Sequence, residues 1–150
     1  LEREYEGKRF FLDNASRLQN AAAAGAFRAI AEEEQKHIEF IAAQIAALDA
    51  GVSAEYPEMP QSGFFAERAE SESIEVTVSE AMVADLPVLR MAYLIERDFA
   101  EFYAQMAMKA DGEAKKVLEM LAKWEAGHER LFKRLHDEAF QKYADMPWGG

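Results

Sequence analysis

Two stretches of the chain repeat one pattern: a Glu, an aromatic residue seven positions later, a helical turnaround, then Glu-x-x-His. The first copy is Glu4, Phe11, Glu34 and His37, and the second is Glu96, Tyr103, Glu125 and His128. The two Glu residues lie 30 positions apart in the first copy and 29 in the second. One Glu from each of two helices, with a Glu-x-x-His from each of two others, is the ligand arrangement of a dinuclear metal site inside a four-helix bundle.

The apolar pattern supports the same architecture. At about 100° per residue, each Glu can be used to phase its own helix. The face of Glu34 carries Phe27, Ile30, Ile38, Ile41, Ile45 and Leu48, and that of Glu125 carries Leu118, Leu121, Phe132 and Ala139. Glu96 shares a face with Leu89, Ala92, Ala100, Tyr103 and Ala107, and Glu4 with Phe11, Ala15, Leu18 and Ala22. Each carboxylate therefore belongs to an apolar stripe. Asp111-Gly112 is a strong break between the third and fourth helices, and a first turnaround falls near Gln19-Asn20. With each turn midway between its two Glu residues, arms of about 14 residues at ~1.5 Å rise bring Glu4 level with Glu34, and Glu96 level with Glu125.

We read a single domain over 1–150: a first hairpin at about 1–50, a crossover at about 51–85 and a second hairpin at about 86–143. The crossover holds Pro57, Pro60 and Gly63, and its Ile74, Val76 and Val78 alternate as in an extended segment. Its length suits two antiparallel hairpins that must pack side by side. A helical turn is expected from about Val78, with Pro87 kinking or restarting it. The tail from Met146 to Gly150 is expected to end the fourth helix, and the opening at Leu1 leaves room for residues upstream.

Composition narrows the function. The net charge of -11 repels phosphate backbones and anionic lipid, so neither nucleic acid nor membrane is expected as a partner. The absence of Cys excludes disulfides, thiolate catalysis, iron–sulfur clusters and Cys-ligated zinc, and is compatible with a cytoplasmic location. No apolar run is long enough to span a bilayer.

Glu and His at i and i+3 project from adjacent parts of one helical face, which suits one carboxylate and one imidazole on the same ion. Four carboxylates converging in an apolar core are very costly unless protonated or neutralised by cations. Two divalent ions, about 3.5–4 Å apart, resolve this and leave a place for a two-oxygen substrate. Carboxylate and imidazole ligands without sulfur favour iron or manganese, with zinc as a further option. An ordinary bundle with ion pairs across its core is the alternative to a metal site.

The residues also resemble the rubrerythrin-like branch of the ferritin-like superfamily. The resemblance spans both hairpins and is closest at Glu4-x5-Phe10-Phe11, Ala31-x2-Glu34-x2-His37-x2-Phe40 and Glu96-x5-Phe102-Tyr103. It implies an all-α, ferritin-like four-helix bundle holding a non-haem di-iron centre that reacts with hydrogen peroxide or dioxygen. The ligands it implies are Glu4, Glu34, His37, Glu96, Glu125 and His128, with Glu34 and Glu125 as bridges. Three departures stand out. There is no rubredoxin-type module, which needs Cys, so electrons would come from a separate donor protein. Phe99 occupies the position of an extra Glu, leaving four Glu and two His, a set more like a bacterioferritin ferroxidase centre. Phe11 stands where a Tyr is common.

Tyr103 is a candidate to hydrogen-bond a ligand carboxylate or relay an electron, or simply to pack. His136 lies eleven residues from Glu125, ~16 Å along the helix axis, too far to join the same site. Glu2, Glu6, Asp98 and Glu101 point away from it, and Glu129 is read as a helix-edge residue. Trp124 lies on a flank suited to packing against another hairpin or subunit. The Met residues read as adaptable core filling. The favoured function is a di-iron oxidoreductase acting on peroxide or dioxygen. The alternatives are ferrous oxidation with iron storage or delivery, which the early end of the chain disfavours, and a structural zinc or manganese site. A homodimer is expected, since bundles of this kind often pair through helix faces.

Overall fold

The structure, a computed structural model, describes residues 1–51 and 81–147. It holds four helices: α1 (Glu2–Ala15), α2 (Ala21–Asp49), α3 (Ala81–Ala107) and α4 (Gly112–Ala144). Among the described residues there is no strand, and no helix is long and apolar enough to cross a membrane. The segment read as extended, Ser73 to Val78, lies outside the described residues, as do Trp148, Gly149 and Gly150.

Local chemistry sets the helix ends. Asn20 begins α2: its backbone is extended, and its side-chain oxygen accepts from the N–H groups of Ala22 and Ala23 at 2.9 and 3.0 Å. That satisfies two of the donors every helix start leaves unpaired, ahead of four alanines with the best helical propensity. Between α3 and α4 the reversal needs a left-handed residue, and Gly112 supplies it at φ 60°. The third helix starts at Ala81, earlier than the hairpin boundary near 86, and runs on through Pro87.

Helices α1 and α2 pack as one pair and α3 and α4 as the other, with α1 beside α3 and α2 beside α4. Asp85 fixes the direction of the second pair against the first. Its carboxylate accepts from the backbone N–H of Gln19 (2.9 and 3.1 Å) and of Asn20 (2.9 Å), so the start of α3 sits at the α1–α2 turn. Helix α3 therefore runs antiparallel to α1 and parallel to α2. The end of α2 and the start of α3 lie at opposite ends of the bundle, which explains why a long connection is needed. Asp85 is 2% exposed and bridges 65 residues of sequence. Its removal leaves two turn N–H groups without their charged acceptor. We expect Asp85→Ala to cost roughly 3 kcal/mol, read as a lower denaturant midpoint with an unchanged slope.

The core divides along the bundle axis. Toward the α1–α2 turn, Phe11, Phe27, Ile30, Leu89, Phe132 and Leu135 form one apolar cluster. Within it Phe11 stacks on Phe132 (centroids 5.2 Å apart, planes 9°), and Phe27 meets both edge-on. Toward the other end Tyr103, Leu121 and Trp124 form a second cluster. The stripe on α2 fades sooner than its periodicity predicts: Ile41 is half-buried, and Ile45 and Leu48 are 45% and 78% exposed. Met91, Met106 and Met108 are likewise exposed and do not fill the core.

Candidate metal centre

Between the two apolar clusters the bundle buries six ionisable side chains. Glu4, Glu34, Glu96 and Glu125 are completely buried, and His37 and His128 nearly so. Each helix contributes by simple phase: Glu4 comes from α1, Glu34 and His37 from α2, Glu96 from α3, Glu125 and His128 from α4. They form two overlapping groups. One is Glu4, Glu34, His37 and Glu125; the other is Glu34, Glu96, Glu125 and His128. Within each group one ligand atom per residue lies within 4.8 Å of all the others. Glu34 and Glu125 belong to both groups.

The imidazoles point inward through Nδ1. His37 Nδ1 is 3.0 Å from Glu125 Oε1 and 3.3 Å from Glu4 Oε2. His128 Nδ1 is 3.3 Å from Glu125 Oε2 and 3.5 Å from both Glu34 Oε1 and Glu96 Oε2. These are ion-pair separations, yet His128 Nδ1 is not aligned to hydrogen-bond any of them. It is left unpaired, as are both carboxylate oxygens of Glu34, Glu96 and Glu125. Buried polar atoms without hydrogen-bond partners are costly, and seven of them converging on one spot fit the donor set of a cation site.

The protonation of this cluster is set by burial and by the two imidazoles. Burial pushes the Glu34 carboxyl up to about 8, helped by repulsion from Glu125. Burial also holds Glu96 well above the usual carboxylate range. Burial opposes charge on His37, but the Glu125 and Glu4 carboxylates outweigh it and hold the ring at about 10. His128 is likewise raised against its burial, by Glu96, Glu125, Glu33 and Glu34. Glu125 is lowered despite its burial, because both imidazoles lie beside it. The two imidazoles, raised by the carboxylates around them, favour positive charge at the place where cations would sit.

Around these six residues the pseudo-symmetry is imperfect. Tyr103 donates its hydroxyl to Glu4 Oε1 across the bundle. Its counterpart in the repeat, Phe11, has no hydroxyl to offer Glu96 and packs among phenylalanines instead. Phe99, three residues after Glu96, lies against Gly7, three residues after Glu4. A Cβ on Gly7 would stand 2.8 Å from the Phe99 ring and 3.5 Å from Glu34 Oε2, so glycine is what lets the ring settle beside the carboxylate. Trp124 stacks on His37 at 4.8 Å and meets Phe40 edge-on, so it packs on the opposite hairpin.

Sequence reasoning missed Glu33, which lies 2.8 Å from His128 Nε2 through Oε2. The signal was present: Glu33 and Trp124 are the residues immediately before the two Glu-x-x-His motifs, and each reaches the His of the other motif. His136 stays outside the centre. Its ring meets Tyr93 edge-on at 5.4 Å and stacks on Phe140 at 6.2 Å. We expect His136→Ala to keep the metal stoichiometry of the unmodified protein in a dialysis measurement, and a lost ion would contradict this placement. Glu2, Glu6, Asp98 and Glu101 are exposed, and Glu129 is half-buried.

Comparison with known proteins agrees with this geometry. The family model described as Rubrerythrin matches residues 1–136. The chain belongs to the rubrerythrin family. No match was found among curated proteins or among solved structures. Membership gives the four helices their ferritin-like fold, and the two buried Glu/His groups fit the metal-binding character of the rubrerythrin family.

Proposed function

We propose that this rubrerythrin-family chain is a non-haem di-iron oxidoreductase that reduces hydrogen peroxide or dioxygen with electrons from a separate donor protein. The observation that carries the reading is the pair of buried three-Glu, one-His groups sharing Glu34 and Glu125. A pair of iron ions held there would supply two electrons at one place and Lewis acidity toward a bound oxygen. The ligand residues would be Glu4 and His37 on one side, Glu96 and His128 on the other, with Glu34 and Glu125 between. Reduction of one peroxide consumes two electrons and two protons, breaks the O–O bond and yields two waters. The protein's part is to hold the carboxylates in place, keep bulk water out and lend a hydroxyl at Tyr103. A separate donor is supported by the lack of Cys in these 150 residues, which leaves them no way to hold an electron-transfer iron of the rubredoxin type.

A second reading, ferrous oxidation for iron handling, is favoured by one observation: Phe99 leaves the centre with four Glu and two His. The two separate in a turnover assay. A peroxide reductase consumes many equivalents of peroxide per centre when supplied with an artificial reductant, and its iron content stays constant. An iron-handling protein oxidises added ferrous iron and retains more than its ligands hold. A single-turnover limit with excess reductant would sink the reductase reading. A cytoplasmic homodimer belongs to the same proposal. Leu1, Tyr5 and Leu12, exposed along one face of α1, support pairing, and sedimentation equilibrium tests it.

A further inference from the structure

The centre is built from a repeat, yet its surroundings are not repeated, and the differences fall in one sense. At the Glu96–His128 position, His128 Nε2 meets the Glu33 carboxylate at 2.8 Å. Among the described residues no carboxylate does the same for the far nitrogen of His37, whose ring instead lies on the Trp124 indole. At the Glu4–His37 position, the carboxylate is already engaged: Tyr103 donates to Glu4. Glu96 has no hydrogen-bond partner on either oxygen, because Phe11 stands where the matching hydroxyl would be.

A carboxylate on the far nitrogen of a ligating imidazole fixes the tautomer, orients the ring and raises its basicity. Here it holds the proton on Nε2 and presents Nδ1 to the centre. A carboxylate that already accepts a phenol proton has less to give a cation than one that does not. Both differences favour the same position. We propose that the two metal positions are unequal by construction, and that Glu33 is the positioning residue that makes the Glu96–His128 position the tighter, filled first. This rests on the dinuclear reading above, and it adds an order of filling and a residue outside the ligand set that enforces it.

Trp124 offers a built-in reporter. It stacks on His37, so an ion at the Glu4–His37 position lies nearer its indole than one at the Glu96–His128 position. In a Trp148→Phe background it is the sole tryptophan of the chain. Cobalt(II), which quenches indole fluorescence and has a visible absorption, is titrated anaerobically into metal-free protein. We expect two steps, with absorption growing from the first equivalent and most of the quenching arriving with the second. His37→Ala should keep the first step and lose the second. Glu33→Ala should weaken the first step about 10- to 100-fold, the usual effect of removing such a partner, so that quenching moves into the first equivalent. Glu33→Gln, which keeps an acceptor oxygen without the charge, should fall between. Quenching complete within the first equivalent in the unmodified background would overturn the order of filling. Steps unchanged in Glu33→Ala, with unaltered helical circular dichroism, would overturn the role of Glu33. Saturation below two ions in the unmodified background is a different failure: it removes the dinuclear reading itself.

Discussion

Replacing Glu125 by Ala should abolish stable binding of both metal ions, weakening each by about 100-fold or more, whereas Glu4→Ala should lose only one. The scale follows from what removal of even an indirect partner costs, 10- to 100-fold; a shared ligand contributes to both sites at once. Glu125 belongs to both Glu/His groups and lies 3.0 Å from His37 Nδ1 and 3.3 Å from His128 Nδ1. Deleting it removes the carboxylate that lies beside both buried imidazoles, so the metal-free fold should weaken too. Glu125→Gln keeps the side chain's shape and separates the two effects: metal is still lost, but packing is retained. Equilibrium dialysis with elemental analysis gives the count. A Glu125→Ala protein that still holds two ions per chain would refute its bridging position.

Metal binding should also release protons and tighten steeply with pH. His37 is raised to about 10 and Glu34 to about 8, so at pH 7 both carry protons that a metal must displace. His128 and Glu96 are raised as well, which gives up to four protons for two ions. Each proton displaced makes binding tenfold tighter per pH unit while the group remains protonated. Affinity should therefore rise with pH through about 8 for the Glu34 contribution and on toward about 10 for that of His37. Stability of the metal-free protein moves the other way. Glu34 binds a proton in the fold that the unfolded chain has lost above 4.5, so its contribution falls as pH rises from 4.5 to about 8. The contribution of His37 is complete below 6.5 and is lost as pH rises toward about 10. Metal-free protein should thus melt lower at pH 8.5 than at pH 6, and the gain in melting temperature on adding metal should widen. Calorimetric titration in buffers of different ionisation enthalpy counts the protons; release near zero would show that the imidazoles are already neutral.

The buried Glu/His cluster was legible because helix phase is a local property. Once Glu4, Glu34, Glu96 and Glu125 are known to lie on apolar stripes, the repeat leaves little choice about where they meet. The turns at Asn20 and Gly112 were legible for the same reason, since cap and left-handed chemistry reside in one or two residues. The residues that sequence did not disclose act over long separations. Asp85 caps a turn 65 residues away, and Glu33 reaches an imidazole 95 residues away. A buried Asp at a helix start and a Glu inside an acidic run both look solvated until a partner is placed beside them. The fading of the α2 stripe after Phe40 is a further case. Ile45 and Leu48 keep the helical period yet are exposed, because periodicity names a face and burial also needs a partner packed against it. Phe99 and Gly7 became intelligible only as a pair: the bulk of one fits because the other has none.

The most direct test of the central claim is an anaerobic ferrous titration of metal-free protein, followed by hydrogen peroxide. Saturation at two irons per chain, with rapid oxidation and a near-ultraviolet absorption of an oxo-bridged ferric pair, is the predicted result. Absence of saturable iron binding, or saturation at one iron, would contradict a dinuclear iron centre in this bundle.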